Sequence, residues 1–70
     1  MIVTAIFEAK AGKADELRKQ LQAGASASWQ EAGVKTYAVH EVIDKPGTFM
    51  NIEVYENEAA FASHLETPHV

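Results

Sequence analysis

Seventy residues permit one domain, and a single core of that size supplies only ~3–5 kcal/mol unless something further holds it together. With no cysteine, that staple is not a disulfide, and thiolate metal sites and cysteine nucleophiles are excluded with it. Six scattered basic residues against ten acidic ones, a net charge of −4, leave nothing to track a nucleic-acid backbone, while 47% hydrophobic and 23% charged residues mark a folded globular domain.

Ile2 to Ala9 is rich in β-branched and aromatic residues and predicts a first strand, ended at Gly12. From Lys13 to Ala32 the spacing turns helical, with Ala14, Leu17, Leu21, Gly24, Ala25, Ser28 and Ala32 on one arc. Gly24 costs about 1 kcal/mol relative to alanine inside a helix, which makes sense where the helix lies close to a sheet or leaves room for something. Gly33 is expected to end this helix as a left-handed cap. Val34 to Ile43 and Thr48 to Glu56 predict two antiparallel strands joined by the turn Asp44-Lys45-Pro46-Gly47. Asn57 predicts the N-cap of a short helix that carries Ala60, Phe61, His64 and Leu65 and stops before Pro68.

The order βαββα over residues 1–70, with no linker or repeat, is most of a ferredoxin-like α+β sandwich with an antiparallel sheet, lacking its last strand. A four-residue turn would set Ile43 opposite Thr48. Tyr37, Val39, Ile43, Met50, Ile52 and Val54 would then share a core face, and Ala38, His40, Val42, Phe49, Asn51, Glu53 and Tyr55 the other, covered by a partner or lining a cavity; a one-residue slip exchanges the pairing. No apolar stretch approaches the ~20 residues of a membrane helix, and Met1 leads straight into a strand with no basic stretch before it. The expectation is a cytoplasmic protein without membrane partners.

In that register His40 lies across from Asn51 and near Glu53, where a carboxylate would orient its ring as a base; the plainer reading is a hydrogen-bonded strand histidine. Asn51 is a side-chain donor for a carbonyl or oxyanion, or simply a cross-strand partner. Trp29, on the shoulder of the helical stripe, would roof a cavity or close a core edge, and Tyr37 and Tyr55 would donate to a ligand or serve as ordinary strand residues. His64 and His69 belong either to a ligand site or to a helix C-terminus, whose carbonyls they complement. The spacing of His40, His64 and His69 supports no metal site, and no motif anchors a cofactor.

The run Glu53 to Val70, EVYENEAAFASHLETPHV, with Gly12, the Gly33-to-Tyr37 strand start and Pro46-Gly47, resembles the antibiotic biosynthesis monooxygenase family over the whole chain. The resemblance implies a dimeric α/β barrel of two ferredoxin-like subunits. Among the activities it implies are cofactor-free oxygenation of quinols and polycyclic phenols, haem breakdown and isomerisation of a sugar-derived signalling ketone. The haem-degrading branch uses an asparagine on the first strand, a tryptophan on the short helix and an iron-binding histidine beyond it. Here the matching positions hold Ala5 and His64 and the third falls at or past the chain's last residue, which disfavours haem. The expectation is therefore a homodimeric, cofactor-free monooxygenase acting on a small aromatic molecule, with His40, Asn51 and His64 as its catalytic residues and Trp29, Tyr37, Tyr55 and His69 binding the substrate. The competing expectation is a non-catalytic ligand-binding or oligomerisation module of the same fold.

Overall fold

The computed structural model describes residues 1–70 and has the order β1 (Ile2–Glu8), α1 (Ala14–Ser28), β2 (Val34–Glu41), β3 (Thr48–Tyr55), α2 (Glu58–Leu65). The three strands form one antiparallel sheet with β3 in the middle, flanked by β1 and β2. This is the expected ferredoxin-like α+β arrangement. No helix is long and apolar enough to cross a membrane.

Along β3 every second residue is buried: Phe49, Asn51, Glu53 and Tyr55 face the helices, and Met50, Ile52 and Val54 the half-open side. The period-2 geometry of a strand produces this alternation, and the tighter burial falls on the more polar of the two faces. The expected pairing with β2 is corrected by one residue. Glu41 lies opposite Phe49, Val39 opposite Asn51 and Tyr37 opposite Glu53, so His40 pairs with Met50. The cause is the loop. Val42 donates its N–H to the Thr48 carbonyl, which leaves five residues in the connection rather than four; Gly47 sits at φ +85° and Ile43, expected in the core, is 93% exposed. Met50, Ile52 and Val54, expected as core, line instead the sheet face that the helices do not cover.

Helix α1 ends at Ser28, four residues before the expected end, and Trp29 caps it. Gly33 is no left-handed cap, since only Gly12 and Gly47 have positive φ. A Cβ at Gly33 would run into the Ala60 side chain, so glycine is required there for the close approach of α2 to the start of β2. The Asn57 cap of α2 forms as expected, its side chain accepting the Ala60 N–H at 2.9 Å. On the other side, Arg18 forks both guanidinium nitrogens onto Glu41, tying α1 to the end of β2.

Candidate functional site

Of the seven buried residues, Ser28, Asn51, Glu53 and His64 are polar, and only Ala25, Phe49 and Tyr55 are apolar or aromatic. Burying so many polar groups in so small a domain is costly, which marks the space between sheet and helices as something other than a stability core. A cavity of about 530 Å³ lies there. Val3, Ala5 and Phe7 of β1 form one wall, Leu17, Leu21 and Gly24 of α1 another, and Phe61, His64 and Leu65 of α2 a third, with Tyr37, Asn51 and Glu53 from the sheet. Gly24 does leave room: a Cβ there would meet only the His69 carbonyl, at 3.8 Å.

The polar groups are ordered by one another. Tyr55 donates its hydroxyl to Glu53 Oε1 at 2.6 Å. Burial first, then this hydrogen bond and the negative charge of Glu53, push the Tyr55 phenol far above its ordinary value; burial and the same charge raise Tyr37. Asn51 Oδ1 is the one fully buried side-chain oxygen or nitrogen without a partner. His64, 3% exposed, packs its ring among Tyr37, Tyr55 and Phe61, with centroids 5.4 to 6.5 Å away. Its Nδ1 lies 2.9 Å from Glu31 Oε2, and His69 Nε2 lies 2.7 Å from that same oxygen. Burial raises the Glu31 carboxyl, but the hydrogen bonds and charges of the two imidazoles outweigh it and the net shift is downward.

Glu31, His64 and His69 bring three ligand atoms within 4.8 Å of one another. The two N···O separations of 2.7 and 2.9 Å are those of N–H···O hydrogen bonds, shorter than the roughly 3.3 Å between ligands of a tetrahedral ion with bonds of ~2.1 Å. As arranged, the cluster shares protons.

Of the residues singled out in the sequence, Asn51, His64, Tyr37 and His69 line this cavity, and Tyr55 is buried beside it through Glu53. His40 is not part of it: it projects from the other side of the sheet, beside Met50 rather than Asn51. Trp29 is also outside, 59% exposed, its indole N–H donating to the Tyr37 carbonyl at 2.8 Å. Sequence reasoning missed Glu31. It sits in the turn after α1, where no periodicity marks it, and gains its role only because α2 and the segment beyond it fold back over that turn.

The two raised phenols carry a prediction. A folded-state pKa above the unfolded one gives stability that is fully present below about pH 10 and is lost as pH rises beyond it. Absorbance at 295 nm is therefore expected to show no tyrosinate step near pH 10, both tyrosines ionising only as the circular dichroism signal collapses at higher pH. A reversible step near pH 10 with the fold intact would contradict this.

The comparisons with known proteins agree with this architecture. The sequence matches the family described as antibiotic biosynthesis monooxygenase over residues 1–70. Among solved structures, a Pseudomonas aeruginosa protein superposes with a TM-score of 0.92 at 31% identity, over 97% of this chain and 69% of its own. A Deinococcus radiodurans protein, provisionally named an antibiotic biosynthesis monooxygenase, does so at 0.90 and 35%, over 97% and 68%. A Mycobacterium tuberculosis protein does so at 0.89 and 28%, over 97% and 68%. The chain thus spans about two thirds of the length of the structures it matches. A search of curated proteins found no match. A family match along the whole chain, together with the superposition of its ferredoxin-like core, means that this chain belongs to the antibiotic biosynthesis monooxygenase family.

Proposed function

We propose that the chain is a cofactor-free monooxygenase acting on a small planar phenol or quinol. The observation that carries this reading is the cavity of about 530 Å³, with apolar walls and with a buried imidazole and an unpartnered buried amide oxygen at its polar end. Flat apolar walls suit an aromatic ring, and Asn51 Oδ1 is satisfied by a ligand hydroxyl. No lysine or arginine lines the space, and the Glu53 carboxylate does, so a neutral hydroxyl donor suits it better than an anion.

In this reading His64 takes over the role first assigned to His40, and Asn51 accepts a hydrogen bond from the substrate hydroxyl in place of stabilising an oxyanion. The base removes the phenolic proton, and the electron-rich anion passes one electron to dioxygen. The radical pair combines at the activated ring carbon to form a C–O bond and a peroxide, which the imidazolium protonates. Loss of water from a CH₂ position leaves a carbonyl, with one oxygen atom kept and the other released as water. The protein supplies deprotonation, orientation and exclusion of solvent.

The test is oxygen consumption with a panel of hydroquinones and anthrone-like phenols, together with calorimetric binding of the same compounds. Turnover of any of them supports the reading. Tight binding without turnover replaces it by a ligand-binding module, and neither binding nor turnover overturns it.

The partner in this reading is a second copy. Ile2 and Ile6 are 73% and 66% exposed on the sheet face that also carries Met50, Ile52 and Val54, an apolar surface that a lone subunit would leave in water. Sedimentation at micromolar concentration is expected to give a dimer or larger closed assembly, and Ile6→Lys to shift it toward monomer. A wild-type protein that is a folded monomer at that concentration removes the claim.

A further inference from the structure

A carboxylate is an acceptor only, so each ring nitrogen that faces Glu31 Oε2 carries a proton: Nδ1 on His64, Nε2 on His69. A neutral imidazole has one N–H, and His64 therefore has its lone pair on Nε2. Nε2 has no hydrogen-bond partner in the chain, yet it is not among the sealed unsatisfied atoms, where Asn51 Oδ1 stands alone; it keeps access to space, and His64 lines the cavity. The orienting oxygen is itself fixed. His69 Nε2 grips Glu31 from a second direction, and Thr67 Oγ1, 3.0 Å from His69 Nε2, also donates to the His64 carbonyl at 2.7 Å, so the far end of the chain is pinned to the last turn of α2.

We propose that Glu31 is the positioning residue of this site: held by His69, it takes the Nδ1 proton of His64, locks the ring in one tautomer and keeps the Nε2 lone pair available to a ligand hydroxyl in the cavity. The inference deepens the reading of His64 as a base and rests on it for turnover, but the tautomer itself is a property of the ligand-free protein. Glu31 never touches the reacting atoms. Its carboxylate does for His64 what a triad's aspartate does for its histidine, where loss of the correct tautomer costs ~10⁴-fold in kcat.

The first measurement is the long-range proton–nitrogen correlation spectrum of the nitrogen-15-labelled wild type at pH 7.5, without ligand. The expected pattern for His64 is a protonated Nδ1 and an unprotonated Nε2. The opposite tautomer, or an even mixture, overturns the proposal without any variant. The second measurement is the same spectrum for Glu31→Ala, in which the His64 pattern is expected to become a mixture; an unchanged pattern also overturns it. Should Glu31→Ala not fold by circular dichroism, Glu31→Asp, one methylene too short to reach both rings, takes its place with the same expectation. In the oxygen assay, Glu31→Ala is expected to lower kcat by on the order of 10²-fold or more with KM little changed, a split that a merely structural role would not produce. A locked tautomer in a protein that turns over no substrate would sink the oxygenase reading and leave the positioning role of Glu31 intact. A mixed tautomer in an active enzyme would do the reverse.

Discussion

Replacing His64 by alanine is expected to lower turnover of a phenolic substrate by about 10²–10⁴-fold, the range contributed by a positioned general base. A phenol with a pKa near 10 is scarcely ionised at pH 7, so without a base only the small phenolate fraction is available to dioxygen. His64 is the only histidine both buried and on the cavity wall, and its ring is already fixed by Glu31 on one edge and by the faces of Tyr37, Tyr55 and Phe61. Removing the ring also opens a gap among these aromatics, so the activity loss is to be read beside His64→Phe, which fills the space and has no base. Both variants are expected to be inactive, and added imidazole to restore part of the rate in the alanine form alone. His40→Ala is expected to keep its turnover, because His40 stands on the opposite side of the sheet beside Met50. Full activity in His64→Phe would move the base elsewhere, with Glu53 as the next carboxylate on the cavity wall.

The second large effect is on stability. Phe49→Ala is expected to cost about 3–5 kcal/mol, the usual penalty for emptying a fully buried phenylalanine site. A 70-residue domain has on the order of 4–10 kcal/mol in total, so the variant sits at or beyond the edge of folding at room temperature. Phe49 is 1% exposed in the central strand, and the Arg18 guanidinium lies 5.5 Å from its ring centroid, so the deletion also removes the surface against which the Arg18–Glu41 clamp rests. Urea titration at a fixed protein concentration measures the loss, the concentration being held because any assembly adds its own stabilisation. Phe49→Leu is expected to cost about half as much. A Phe49→Ala variant within ~1 kcal/mol of the wild type would show that the cavity face contributes little to folding.

The sequence by itself determined what depends on neighbours along the chain. Strand and helix periodicity located all five elements to within a few residues, and the Asn57 cap followed from its side-chain chemistry. The alternation of β3 separated Asn51, Glu53 and Tyr55 from Ile52 and Val54, and the run ending HLETPHV pointed to the family and, through it, to His64 and His69. What the tertiary structure decided are the relations between elements. The hairpin loop has five residues, and that single extra residue moved His40 from the side of Asn51 to the other side of the sheet and put Tyr37 on the cavity wall in its place. A period of two carries no information about which face meets the partner strand's buried face, and only the loop geometry supplies it. Glu31 was invisible for a related reason. It is distant from His64 and His69 in the chain, lies in a turn without pattern, and meets them only where α2 closes over Gly33, a contact that requires the absence of a Cβ at that glycine. Which polar groups are buried, and therefore which must answer one another, is set by that three-dimensional closure and not by any local spacing.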